Sequence, residues 1–437
     1  MEHSSILNKY KLSNGLEFLF KPMLGHKFIS IAIGIKNGVL CENKNGLAHL
    51  VEHLIGYSCE FYIKKFSKVW GSLSWTFDAN IYKGYSEFRF DTKAFSFVTL
   101  MKIISYAFQN PAFNGKNILR ERKNIIKEWR AQRNLDYYLA DWLVDKAIFR
   151  APFSNTPGGN PSEIRRAKKS DIIAYWKKIF KGGNIVIVVA GDIPENAIQE
   201  IRKFWSLVPR GKKIFYPSRV LLKKKRKRIT FGFLPQKRIF VSIKIPVFNW
   251  RFYKKFVSHL ISFAFAGATT STLDKAFRHL TINKSLGASI FEFQKTAYLG
   301  ISFYSPREKL MPVLITLMKS WLKFCEEGPS GKILKSVKSI ARRLYKETIA
   351  SSSLTAQMIL YEKMYTLSGK QELLPEHRLE LMLRVTKDEI REAAKAFAEV
   401  RDWSVVLVGN LRENPIKLFW EKISKSNIKN KNGSYRD

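Results

Sequence analysis

Two stretches of the chain are apolar at almost every position, and each closes on a glycine: IVIVVAG at Ile185–Gly191 and SVVLVG at Ser404–Gly409. Ahead of each lies an amphipathic helical pattern opened by a Ser or Thr cap before acidic residues, so Ser170–Ile193 and Thr386–Leu411 read as the same helix–strand unit. The two glycines stand 218 positions apart, half of the 437-residue chain. Self-similarity at that interval predicts a duplicated domain, with the joint in Val208–Arg228.

The first half alternates in the same terms. Gly15–Phe20 and Phe28–Ile35 read as strands around a turn, a helix begins near Leu47, and a second strand pair covers about Ser72–Phe90. Long helices are predicted over Ala94–Gln109 and from Lys116 to about Lys146. In the second half Ile239–Pro246 and Leu299–Tyr304 read as strands, and Tyr253–Phe265, Ser271–Leu280, Leu310–Glu326 and Gly331–Ile349 as helices. Strands in antiparallel pairs with helices over one face make an α+β class of two homologous domains. The boundaries drawn from this are 1–215, a basic linker at 216–228, 229–423, and a flexible tail at 424–437.

Composition supports a folded chain: 46% of residues are hydrophobic and 14% aromatic. The formal charge of +40 invites a nucleic-acid reading. Lysines and arginines are nevertheless spread along the chain, and the dense run Lys223–Arg228 falls in the linker. Only non-specific polyanion contact is therefore expected, with acidic peptides as a further possible consequence of the charge. Cys41, Cys59 and Cys325 are odd in number and scattered, which fits a reducing compartment. The opening MEHSSILNKYKLSNG shows neither a secretory nor a mitochondrial pattern, and Phe256–Ala268 is too short an apolar run to span a membrane. The expected location is cytoplasmic, the periplasm or an organelle matrix being the alternative.

The chemistry is concentrated in NGLAHLVEHLIG, Asn45–Gly56, where His49, Glu52 and His53 stand in the order H-x-x-E-H. On a helix, positions four apart lie about 40° apart around the axis and ~6 Å apart along it, so two imidazoles converge on one cation. Two imidazoles, a carboxylate and a water make a catalytic zinc site, and a free carboxylate beside that water can move its proton. An accidental cluster on an amphipathic helix is the competing account. Glu121 and Glu128 in LRERKNIIKEWRAQR lie seven apart on one helix face beside Ile125. Taken alone, an exposed charged helix explains them more simply, with Arg120, Arg122, Lys123 and Lys127 as their partners. His259 and His279 lack spaced partners and read as structural.

With these residues in view, the chain resembles the pitrilysin and insulinase family, which includes the mitochondrial processing peptidase and bacterial relatives. The likeness runs from NGLEFLF at Asn14–Phe20 through GLAHLVEH to PAFNGKNILRERKNIIKEW at Pro111–Trp129, then to GGNP at Gly158–Pro161 and IVIVVAGDI. It implies a clam-like enclosure of two α+β halves binding one Zn²⁺ per chain through His49, His53 and Glu128. Glu52 is then the catalytic base, and Glu121 an auxiliary carboxylate beside the ligands. The implied activity is a metalloendopeptidase cutting short or unfolded peptides, strand-paired to an edge near the zinc.

Two motifs depart from the family. WGSLSWTF places Ser74 and Trp75 where the family's substrate edge carries Asn and Ala, and FRHLTINKS keeps Arg278 but has Ser285 where a substrate-gripping Tyr is usual. The resemblance therefore also admits a weakly active or non-catalytic subunit that keeps zinc but needs a partner. A homodimer or a heterodimer with a related chain is implied.

Overall fold

A computed structural model describes residues 7–70, 73–216, 229–248, 255–280, 286–293, 296–365, 374–397 and 403–411. Strands β1 (Asn8–Lys11), β2 (Glu17–Pro22), β3 (Ile29–Lys36), β4 (Trp75–Ile81), β5 (Tyr85–Thr92) and β6 (Ile185–Gly191) form one sheet in the order β1-β2-β6-β3-β5-β4. A second sheet has the order β7-β11-β8-β10-β9, from β7 (Ile229–Gly232), β8 (Arg238–Phe248), β9 (Gly287–Phe293), β10 (Thr296–Pro306) and β11 (Ser404–Val408). The repeat is visible in the pairing. β6 runs parallel to β2 and antiparallel to β3, and β11 runs parallel to β7 and antiparallel to β8. The class is mixed α+β, and each sheet carries one parallel pair among its antiparallel ones.

Strands apolar at every position are strands covered on both faces. All seven residues of β6 are buried. Ile187 and Val189 face the core formed with helices α1 (Leu47–Trp70) and α2 (Ala94–Gln109), where Leu50, Leu54 and Leu100 pack. Val186 and Val188 face the other way, onto Ile359, Leu360 and Met364 of α12 (Ser352–Tyr365), a helix from the second half. The second sheet reciprocates: Val406 and Val408 of β11 pack on Ala140, Val144 and Ile148 of α4 (Asp136–Ile148), a helix from the first half. Besides its own helices on one face, each sheet thus takes one helix from the other half on its second face, a cover that the chain's local pattern does not specify.

The predicted helix from Lys116 to Lys146 is two helices, α3 (Gly115–Arg133) and α4. Asn114 caps α3 by accepting from the Asn117 amide, and the chain turns at Asn134 before extended Leu135. Residues 256–278 are long and apolar enough in composition to cross a membrane, but they are a broken core element here. α8 (Lys255–Ser262) passes into a π turn and then α9 (Thr272–Arg278), with Leu260, Phe265 and Leu273 in the second core. Residues 217–228 of the expected linker and the whole expected tail lie outside the described residues.

Candidate active site

The start of α1 is held by side chains, because its first amides have no partner within the helix. Glu42 accepts from the amides of Gly46 and Ala48, both at 3.0 Å, and from Asn45 Nδ2 at 2.7 Å. Burial lifts the Glu42 carboxyl to about 7 even against these donors. Gly46 has φ +113°, and a Cβ there would lie 2.5 Å from Ile164 of α5 (Pro161–Arg166) and 3.3 Å from Gly159. That contact sets the Gly158–Gly159 turn against the first turn of α1, where the Gly158 carbonyl lies 3.4 Å from His49 Nδ1.

α3 runs beside α1 and brings its acids to the same place. Glu121 Oε2 lies 3.3 Å from His53 Nδ1, and Glu121 also accepts from Arg120 Nε at 2.7 Å and Asn124 Nδ2 at 2.9 Å. These donors hold the Glu121 carboxyl down at about 2, against a burial that alone would raise it. Both Nδ1 atoms thus face acceptors, which assigns them the ring protons and leaves the Nε2 lone pairs free. The two Nε2 atoms point at each other across 3.2 Å. Glu128 Oε2 completes the group, 3.7 Å from His49 Nε2 and 3.4 Å from His53 Nε2.

Two nitrogens so close need something between their lone pairs, either a proton on His53 or a metal cation in its place. A tetrahedral ion with bonds of about 2.0–2.1 Å separates its ligands by about 3.3 Å, and His49, His53 and Glu128 offer ligand atoms all within 4.8 Å of one another. Their donor types and spacing fit zinc. Glu52 Oε2 sits 3.9 Å from each Nε2. Without an ion the group's electrostatics are lopsided. Burial and the neighbouring His53 push His49 down to about 4. Burial disfavours the charged His53 ring too, but its hydrogen bonds to Glu121 and Glu128 raise it to about 10. Burial raises Glu52 to about 7, with Glu128, Asp78 and Glu121 adding to the effect and His53 opposing it.

A cavity of about 600 Å³ opens on this group. Its walls are the end of β4 (Ala79–Ile81), the α3–α4 pair through Trp129, Arg133 and Trp142, and Lys244, Phe291 and Tyr298 of the second half. A second cavity of about 760 Å³ touches Glu52, His53 and Glu121 from the other side and is lined by Trp75, Thr76 and Phe77. β4 is an edge strand of its sheet among the described residues, so it passes both cavities with one side unpaired.

His49, Glu52, His53, Glu121 and Glu128 are therefore brought together, and Trp75 lines the second cavity. Ser74 lines neither cavity; its amide donates to Ser96 Oγ at 3.2 Å and its carbonyl accepts from Thr92 Oγ1 at 2.6 Å. Arg278 lines neither cavity. It is exposed at the end of α9, its Nη2 donating to Asp274 Oδ2 one turn back and to the Thr269 carbonyl at 2.8 Å each. Ser285 lies outside the described residues. Sequence reading missed the Gly158 carbonyl, which as backbone leaves no side-chain signal, and Arg133, whose aromatic neighbours Trp129 and Trp142 come from two helices.

The description "Insulinase (Peptidase family M16)" matches residues 24–162, and "Peptidase M16 inactive domain" matches residues 166–340. The chain is 22% identical over 316 residues to the non-peptidase homolog YmxG of Helicobacter pylori, covering 70% of this chain and 71% of that one. It is 27% identical over 201 residues to the mitochondrial-processing peptidase subunit beta of Rattus norvegicus, covering 44% of this chain and 40% of that one. A peptidase M16 inactive domain structure from Pseudomonas fluorescens shares the fold with a TM-score of 0.80 at 14% identity, covering 94% of this chain and 100% of that one.

Proposed function

The chain belongs to the insulinase family of peptidases, M16, and on that premise we propose that it is a zinc-dependent endopeptidase for short or unfolded peptides. The observation that carries this reading is the pair of Nε2 atoms 3.2 Å apart, with both Nδ1 atoms engaged elsewhere and Glu128 beside them. His49, His53 and Glu128 would hold the zinc. A zinc ion bound there supplies a Lewis acid and lowers the pKa of a water.

The remaining work falls to the chain. Glu52, its carboxyl lifted to about 7, is matched to taking a proton from the attacking water and returning it to the leaving amine nitrogen. Glu121 keeps the His53 ring turned by holding its Nδ1 proton. The unpaired side of β4 can bind peptide backbone by strand addition, which tolerates many sequences. Walls from both halves favour short or unfolded peptides over folded proteins.

Replacing Glu52 by Gln is expected to keep about one zinc per chain while cutting turnover of a quenched peptide library by ~10²–10⁴-fold or more. Equal cutting by the two proteins would falsify the assignment. A second reading, a weakly active or non-catalytic subunit, is favoured by Ser285 and by the likeness to a non-peptidase homolog and to one subunit of a processing peptidase. Under that reading the purified chain binds zinc yet cleaves only when a related chain is added, or not at all.

A further inference from the structure

The wall of the 600 Å³ cavity carries three cations, Lys83, Arg133 and Lys244, and two of them are already engaged. Lys83 Nζ donates to Asp145 Oδ2 at 2.8 Å and to the Phe153 carbonyl at 2.7 Å. Lys244 Nζ donates to Asp145 Oδ1 at 3.1 Å and lies 3.3 Å from Asp141 Oδ1. The other two acids of the wall, Glu52 and Glu128, are turned to the histidines. Arg133 is left as the one cation, among the described residues of this wall, with neither a carboxylate nor a hydrogen-bond acceptor.

Its position is nonetheless built. The guanidinium lies 3.5 Å from the ring centroid of Trp142 on α4 and 4.8 Å from that of Trp129, one turn earlier on α3. Indole faces attract a cation and fix the plane of the guanidinium, and they leave its in-plane N–H groups free to donate. Burial alone pushes the group down to about 10, so the site holds a partly desolvated charge whose best complement is an anion with two oxygens.

We propose that Arg133 is a specificity-determining residue that binds a carboxylate of the peptide, the Trp129–Trp142 pair holding its guanidinium flat for a two-oxygen grip. The inference rests on the peptidase reading and narrows its substrate class. Arg133 follows Glu128 by five residues, about 7.5 Å along the helix axis and about 140° around it, and both line the same cavity. The carboxylate recognised is therefore near the scissile bond, either as an Asp or Glu side chain or as the terminal carboxylate of a peptide cut close to its end.

Peptides matched except for one Glu or Gln, scanned along both sides of the scissile bond and made with a free or an amidated C-terminus, test this. Turnover is measured with the wild-type protein. Binding is measured by calorimetry with zinc-loaded Glu52→Gln protein, which separates recognition from cleavage. A carboxylate is expected to improve both by about tenfold. Preference that survives amidation assigns the side chain, and preference lost on amidation assigns the terminus.

In an Arg133→Gln variant the ratio should fall to near one, Arg133→Lys should restore part of it, and Arg130→Gln, an exposed change on the same helix, should keep it. Arg133→Lys preserves the charge, so it also guards against a loss caused by misfolding. A ratio of one in the wild type, an undiminished ratio in Arg133→Gln, or an equal loss in Arg130→Gln overturns the proposal. If nothing is cleaved but Glu52→Gln protein still discriminates, the peptidase reading fails and the carboxylate site stands. Cleavage without discrimination gives the reverse.

Discussion

At the scale of single residues, the arrangement around His53 turns on a charge behind the proposed metal ligands. Glu121 accepts a hydrogen bond from Nδ1 at 3.3 Å and is itself held by Arg120 and Asn124. Replacing it with Gln keeps an acceptor of the same shape but removes the negative charge that makes the ring a better donor through Nε2. Zinc affinity should fall by about 10–100-fold, read by competition with a chelator of known affinity. An unchanged affinity would leave Glu121 without the supporting role given to it. His49, Glu52 and His53 were legible because four residues on one helix are enough to make two rings converge. Glu128 needed the family resemblance, since nothing local tells a carboxylate that meets a distant helix from one that meets water. Arg278 was singled out by charge and family position, although the predicted helix over Ser271–Leu280 already put Asp274 one turn before it, where the two pair.

At the scale of elements, the solidly apolar strands carried more information than their class. Runs such as IVIVVAG announce that both faces are covered, yet the identity of the second cover is non-local: α12 lies more than 150 residues after β6. Leu360 sits at that junction, fully buried against the first sheet. A Leu360→Ala change lies in the second half by sequence and should weaken the first half, by about 2–5 kcal/mol from lost contact and the cavity left behind. The expected signature is a lower urea midpoint together with faster hydrogen exchange of β3 and β6 amides, leaving β8 and β11 comparatively protected. Exchange rising only in the second sheet would show that the crossed helices do not divide stability in this way. The break between α3 and α4 was hidden for a related reason. Amphipathic pattern continues through Asn134–Leu135, and the turn follows from α4 having to reach the other sheet.

At the scale of the whole molecule, α4 carries the charge that joins the halves. Asp145 on it accepts from Lys83 of the first half and from Lys244 of the second, and all three side chains are buried. Burial alone would raise the Asp145 carboxyl, but Lys244 and Lys83 overcome this and hold it below the ordinary carboxylate range. A carboxyl depressed in the folded state contributes stability that is complete above its unfolded value of about 3.9 and is lost as pH falls through the folded value. Asp145→Asn leaves the buried Lys83 ammonium with carbonyl acceptors only and Lys244 with only the exposed Asp141 as counter-charge, a change expected to cost about 3–5 kcal/mol near neutral pH. The gap in urea midpoint between wild type and variant should then stay level from pH 7 to about 4 and narrow below that, as the wild-type carboxyl takes up its proton. Salt should affect the gap little, since buried pairs are poorly screened. Because the same trio lines the cavity wall, the variant should also bind peptide less well before it unfolds. A gap that widens on acidification would mean that Asp145 is not the group coupling the two halves, and that the wall between them is held by apolar packing of α4 alone.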